Sequence, residues 1–193
     1  GECLDQRGTR AGLRAVRGAG ERALALAGLV DGLADDLDEE GRAFAQALGQ
    51  GREHGIAATF FVIGDVRAIA AVWKGPMVPI AAPAEAEAAF PDALPILSVS
   101  DAGAIHPGQP DVDGARCAIE SLEVAVGLTR SGAASALVTG PVSKVDLYRI
   151  GFTHPGQTEF VAERCGVSRD NAVMMLVGPT LRVVPITTHV ALA

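Results

Sequence analysis

The stretch ATFFVIGDVRAIAAVWKG at residues 58–75 decides the fold class of this chain. Its first part, residues 58–65, is a short apolar run that ends in Gly-Asp, and this pattern predicts a buried strand that enters a loop. Its second part, residues 66–75, predicts a helix. A strand followed at once by a helix is the building unit of a layered α/β protein.

The same alternation continues along the chain. Further strands are predicted at 77–82, 94–100, 134–140, 171–178 and the start of 181–193, and further helices at 114–132, 143–151 and 159–166. A loop or brief helix is predicted at 83–93 and an irregular loop at 101–114, because both stretches are broken by prolines or glycines. We therefore expect an α/β fold with a largely parallel sheet. The abrupt stop at THVALA leads us to expect an incomplete domain.

Residues 1–50 differ from the rest in composition, so we divide the chain into an atypical N-terminal segment, 1–50, and a partial α/β domain, 51–193. The segment is rich in Arg, Gly and Ala, and it carries an acidic cluster at 35–40 that is most simply a solvated face. Helices are predicted here at 21–33 and 39–51.

The overall composition argues against several classes of protein. The chain has 193 residues, 49% of them hydrophobic, a net charge of −7 and a pI near 5.0. This charge disfavours general attraction to nucleic acid or anionic membrane. Its three scattered cysteines favour a reducing compartment over a disulfide frame. With neither a membrane-spanning stretch nor a secretory leader in the sequence, we expect a cytoplasmic protein.

The first candidate site follows the predicted strand ASALVTG, in the run VTGPVSK at residues 138–144. Ligands of open α/β sheets gather at the carboxyl ends of strands. Lys144 could reach an anionic substrate there, while Gly140 would let the backbone approach it. Alternatively, Thr139 is a helix cap and Lys144 is an exposed surface residue with no functional role. The spacing excludes a Walker phosphate loop.

The second candidate is His189, which follows two threonines in PITTHV. Neutral imidazole is a common metal ligand, although a lone histidine is more often structural. Its potential co-ligands His54, His106 and His154 show no paired spacing.

The third candidate is GQTE at residues 156–159, inside the polar run GFTHPGQTEF. Thr158 could cap the following helix, whose free N–H groups would favour an anion. The alternative is a plain helix cap with no ligand.

Taken together, these segments resemble the 4-hydroxythreonine-4-phosphate dehydrogenase family, the PdxA enzymes of vitamin B6 synthesis. The resemblance lies in ALVTGPVSKVDLYRIGFTHPGQTEF and MMLVGPTLRVVPITTHVAL, with FFVIGD, DALPIL and HPGQPDVDGARCAIESLEVAV in the family's order. It covers about residues 44–193, and the combination is far more specific than any single motif.

The resemblance implies a fold of the isocitrate and isopropylmalate dehydrogenase type, a homodimer, and a cleft that binds a small phosphorylated substrate. It implies oxidation of 4-phosphooxy-L-threonine by NAD or NADP, bound without a GxGxxG loop, then decarboxylation to 3-amino-2-oxopropyl phosphate. A divalent metal (Zn, Mg or Co) would polarise the hydroxyl.

Residue by residue, the resemblance implies His189 as the first of three metal-binding histidines. Thr158 matches the substrate-binding threonine of the family's GHTE motif, and Gln157 replaces its histidine. Glutamine still forms hydrogen bonds but cannot carry a proton charge. Lys144 is assigned to the substrate neighbourhood as a catalytic candidate.

Two departures keep other hypotheses open. Residues 1–50 lack the family's opening GDPAGIG segment, and the segments that carry the other two ligand histidines are not present. The alternatives are a dehydrogenase for another phosphorylated hydroxy acid, of the threonate-pathway type, and an inactive fragment that only folds or dimerises. A phosphate-sensing module ranks last.

Overall fold

A parallel sheet is the centre of the fold, as the sequence predicts. The computed structural model describes residues 24–27, 59–104, 106, 109, 111–140, 142–178 and 180–186. Within these residues, five strands form one sheet in the order β3-β4-β2-β1-β5, and every neighbouring pair is parallel. The strands are β1 (Leu24–Ala27), β2 (Phe60–Gly64), β3 (Met77–Pro79), β4 (Leu94–Ser98) and β5 (Leu137–Thr139).

Helices connect the strands from β2 to β5, which confirms the α/β alternation over this part of the chain. They are α1 (Val66–Val72), α2 (Ala86–Ala89), α3 (Val112–Ser131), α4 (Lys144–Arg149) and α5 (Gln157–Arg164), with 3₁₀ turns at Pro83–Glu85 and Arg169–Asn171. Helix α3 starts two residues before its predicted start, because Asp111 caps it through the N–H of Gly114 at 2.7 Å.

The helix predicted over 21–33 is wrong for its central residues. Residues 24–27 form β1, which lies between β2 and β5, with Leu24 opposite Phe60 and Ala25 opposite both Phe61 and Leu137. A short apolar run is compatible with a buried strand as well as with a helix, and here its pairing with β2 and β5 makes it a strand. The predicted helix at 39–51 and the acidic cluster at 35–40 lie outside the described residues. The domain division at residue 50 stays a prediction.

Strand β2 is the core of the molecule. On one face of the sheet, Phe60 and Val62 pack with Ile69 of α1. On the other face, Phe61 and Ile63 pack with Ala125 of α3. All of these side chains are buried, and a strand covered on both faces is typical of a parallel sheet in an α/β protein.

The predicted strand at 171–178 is much shorter in the structure. It is reduced to β6 (Leu176–Val177), which pairs antiparallel with β7 (Arg182–Val183), and Asn171 belongs to the preceding 3₁₀ turn. Several large apolar side chains around this hairpin are exposed: Val173, Met175, Leu176, Leu181, Val183, Val184 and Ile186. Among the described residues, no helix is both long and apolar enough to cross a membrane.

Candidate functional site

The loop after β5 leads directly into α4, and its first helical residue is Lys144. The N-cap of α4 is Ser143, so the interpretation of Thr139 as a helix cap is wrong. Ser143 Oγ donates to Asp146 Oδ2 at 2.6 Å, and Arg149 Nη1 donates to Asp146 Oδ1 at 2.7 Å. The buried Asp146 therefore fixes the first turn, while the side chain of Lys144 stays exposed at the carboxyl edge of the sheet.

Helix α5 begins at Gln157, and its N-cap is Gly156. The prediction that Thr158 caps the helix is therefore wrong, because Thr158 is already the second helical residue. A side chain at position 156 would meet Glu159 Oε2 at 3.2 Å from its Cβ, so this carboxylate folds back over the cap. Thr158 itself is exposed and free to contact a ligand.

Gln157 brings these two loops together. Its side chain is half-buried, and its Nε2 donates to the carbonyl oxygen of Gly140 at 2.9 Å. Gly140 directly follows β5, so the contact joins the loop that carries Lys144 to the helix start that carries Thr158. Two of the three predicted clusters therefore lie side by side. The third, His189, lies outside the described residues.

His154 forms a small cluster beside this site that the sequence analysis missed. Its ring lies against Phe152 and Phe160, with centroids 5.1 and 5.3 Å away, and its Nε2 lies 2.8 Å from Glu163 Oε2. That hydrogen bond lowers the pKa of the exposed Glu163 carboxyl. The nine-residue spacing of His154 and Glu163 gave no local signal for this pairing.

A depression of about 390 Å³ lies next to His154. It is lined by Thr153, His154, Pro155, Glu159, Glu163, Val167, Ser168 and Arg169. Lys144, Gln157 and Thr158 do not line this depression, but Pro155 and Glu159, on either side of the start of α5, do.

Asp65 holds a second group of charges at the carboxyl edge of the sheet. It lies between β2 and α1, buried, and accepts hydrogen bonds at 2.7 Å from the N–H groups of Arg67 and Ala102. The Arg67 guanidinium bridges Asp65 and Asp101. Burial alone would raise the pKa of Asp65, but these hydrogen bonds outweigh it and lower the pKa to about 2. The loops after β2 and β4 are thereby tied together.

The implied metal site cannot be assembled from the described part of the chain. Within it, no group of three His, Cys, Asp or Glu side chains is placed to hold a metal ion. The implied ligand His189 lies beyond residue 186.

Comparison with known proteins gives one consistent result. Residues 56–193 match the family described as pyridoxal phosphate biosynthetic protein PdxA. The chain is 53% identical over 131 residues to a 4-hydroxythreonine-4-phosphate dehydrogenase of Zymomonas mobilis, covering 68% of this chain and 39% of that protein. A second such enzyme, from Erythrobacter litoralis, is 54% identical over 110 residues, covering 57% of this chain and 32% of that protein.

Solved structures agree. A 4-hydroxythreonine-4-phosphate dehydrogenase from Burkholderia phymatum matches with a TM-score of 0.67 and 26% identity, covering 89% of this chain and 51% of that one. A putative 4-hydroxythreonine-4-phosphate dehydrogenase from Salmonella typhimurium matches with a TM-score of 0.70 at 24% identity, which supports the fold alone. The chain thus spans about half the length of these structures, and less of the curated relatives.

Proposed function

Because this chain belongs to the PdxA family of pyridoxal phosphate biosynthetic proteins, we propose that it serves in the family's dehydrogenase reaction. In that reaction 4-phosphooxy-L-threonine and NAD(P)⁺ give 3-amino-2-oxopropyl phosphate, carbon dioxide and NAD(P)H. The reaction would supply a precursor of pyridoxal phosphate. The names of the relatives support this assignment.

The observation that carries the proposal is the contact between Gln157 and Gly140, because it unites the two loops. On the rim that they form, the ammonium group of Lys144 would attract the substrate phosphate, which the net charge of −7 would otherwise repel. The Thr158 hydroxyl can donate to or accept from the substrate. Among the described residues, Lys144 has no ion-pair partner that would compete for its charge.

The remaining parts of the proposal rest on the resemblance. NAD or NADP would accept the hydride, and a divalent cation (Zn, Mg or Co), held in part by His189, would polarise the hydroxyl. The layered arrangement of the isocitrate dehydrogenase type, a homodimer with a shared cleft, and a cytoplasmic location belong to the same proposal.

Two alternatives stay open. Gln157 is neutral at every pH, so a site built around it suits a related phosphorylated hydroxy acid, such as a threonate-pathway intermediate. The second alternative is a non-catalytic chain that only folds or dimerises, and the assay below includes an outcome that distinguishes it.

Purified chain, assayed with NAD or NADP and each of the three metals, would separate these functions. Reduced cofactor formed with 4-phosphooxy-L-threonine supports the proposal, and faster turnover of phosphorylated threonate supports the first alternative. If neither substrate is oxidised although isothermal titration detects binding of 4-phosphooxy-L-threonine, the chain is a partial site. Absence of both turnover and binding would contradict the proposal.

A further inference from the structure

The side chain of Gln157 is already engaged by the protein. Its Nε2 lies 2.9 Å from the carbonyl oxygen of Gly140, a residue 17 positions earlier. A backbone carbonyl can only accept, so the donor nitrogen of the amide must face it. One of the two amide N–H groups is therefore committed to Gly140, and this hydrogen bond is a contact within the protein.

This contact closes a long excursion of the chain. Between Gly140 and Gln157 lie α4 and a turn, and the excursion is anchored at its middle by Leu147, which is buried. The N–H of Phe152 donates to the carbonyl of Leu147 at 3.0 Å, and the Phe152 ring packs against Phe160 of α5. These anchors hold the turn after α4 against α5, and Leu137 of β5 packs in the same apolar cluster as Phe160. Gln157 adds the polar link between the residue directly after β5 and the first residue of α5.

We propose that Gln157 is a positioning residue, which fixes the distance between the loop after β5 and the start of α5. The contact keeps Lys144 and Thr158 on one rim, so Gln157 acts on the ligand through these two residues. This inference rests on the proposed function for the identity of the ligand, a phosphorylated hydroxy acid. The amide does not titrate, so Gln157 keeps the same donor for this contact at every pH.

Two substitutions remove the donor at nearly constant length. Gln157→Met keeps the length and apolar stem of the side chain but has no N–H. Gln157→Glu places an ionised carboxylate against the Gly140 carbonyl, which repels it. Cys165→Ser is the control, because Cys165 is exposed and lies at the other end of α5.

Hydrogen exchange, measured far below the unfolding temperature, tests directly whether the hydrogen bond from Gln157 to Gly140 holds the two segments together. We expect exchange to become about two- to tenfold faster in both segments, 140–144 and 157–160, in Gln157→Met and more so in Gln157→Glu, because one hydrogen bond is lost. The control should match the parent chain. If the two segments keep parental exchange in both variants, the proposed role of Gln157 is wrong.

Calorimetric titration with 4-phosphooxy-L-threonine and with inorganic phosphate adds a measurement that a purely structural residue would leave unchanged. At a temperature where all variants are folded, we expect about two- to tenfold weaker binding of 4-phosphooxy-L-threonine in Gln157→Met. Parental affinity in this variant would overturn the positioning role. If the parent chain binds neither probe, the proposed function fails, and hydrogen exchange alone still decides whether Gln157 joins the loops.

Discussion

Asp65 shows how one buried carboxylate can organise the edge of a sheet. Its oxygens accept from the backbone N–H groups of Arg67 and Ala102, and its charge is balanced by the Arg67 guanidinium. Replacing this carboxylate by an amide removes its charge and turns one of its two oxygens into an NH2 group, so one of the two backbone N–H groups loses its acceptor. Asp65 thus stabilises the loops after β2 and β4 at the same time.

We expect Asp65→Asn to lower the free energy of unfolding by about 2 kcal/mol at pH 7, since the charge-assisted hydrogen bonds are lost. Urea denaturation would measure this loss. Asp92→Asn, at an exposed position, is the matched control and should change stability by less than about 0.5 kcal/mol. Equal stability of both variants would contradict this role of Asp65.

The low pKa of Asp65 also predicts an acid dependence. The pKa is about 2 in the folded protein and 3.8 in an unperturbed chain, so above about pH 5 both states are ionised and the stabilisation is complete. As the pH falls from about 5 to about 2, the unfolded chain takes up the proton first. About 2 kcal/mol of stability is then lost. Unfolding of the parent at several pH values would show this slope, and Asp65→Asn should lack it.

The two described cysteines should differ in reactivity. Cys117 is fully buried, and burial raises the pKa of its thiol, whereas Cys165 is exposed. We expect iodoacetamide at pH 8 to modify Cys165 in the folded protein and Cys117 only after addition of urea. Mass spectrometry of the two peptides would check this result. Equal native labelling of both peptides would mean that the face of α3 that carries Cys117 is not buried.

At the residue scale, sequence patterns identify candidate types but miss their partners. Gly140 and Lys144 stood out because they follow a predicted strand, and the structure places them there. The contact between Gln157 and Gly140 spans 17 residues and leaves no local periodicity, so only the folded chain reveals it. Thr158 was misassigned as a cap because its residue type is a good cap, but Gly156 already occupies that position.

Helix α3 is the longest described element, and both of its ends are closed. Asp111 Oδ1 accepts from the N–H of Gly114 at the start, and Gly132 adopts a left-handed conformation with φ 76° at the end. Buried residues such as Ala118, Leu122 and Ala125 lie on its inner face. The capping residues and the apolar inner face indicate the same helix, which explains why the sequence predicts it so well.

We expect Asp111→Ala to destabilise the protein by about 1 kcal/mol, because the Gly114 N–H loses its acceptor. The neighbouring Asp113→Ala is the control. Its ion pair with Arg116 is solvent-exposed and should contribute less than about 0.5 kcal/mol. Thermal unfolding monitored by circular dichroism would compare the two. A larger effect of Asp113→Ala would show that charge, rather than capping, stabilises the helix start.

Elements with caps and a clear apolar face are predictable, and short apolar runs are not. β2 is recognised because its run ends in Gly64 and Asp65, which stop the strand and cap the next helix. The run at 24–27 also meets a glycine, Gly28, but apolar residues continue after it, and its neighbours β2 and β5 make it a strand. The strand expected at 171–178 is shortened to Leu176–Val177.

For the whole molecule, the position of β1 matters most. It lies between β2 and β5, so it connects the strand that precedes Lys144 to the rest of the sheet. We expect Ala25→Pro to unfold the protein or destabilise it by about 3 kcal/mol or more, since proline cannot donate within a central strand. Ala25→Ser retains the N–H and should be much milder.

Native hydrogen exchange and urea denaturation would measure both variants. If Ala25→Pro keeps parental stability, β1 does not belong in the sheet. If only β5 loses protection, β1 attaches β5 to a core that folds independently.

The central position of β1 in the sheet has a consequence for folding during synthesis on the ribosome. Residues 24–27 are translated before both of their partner strands, and one of these partners, residues 137–139, follows more than a hundred residues later. At about 5–20 residues per second, this strand waits roughly 5–20 s with one edge open. During this interval the nascent chain is most in need of a chaperone.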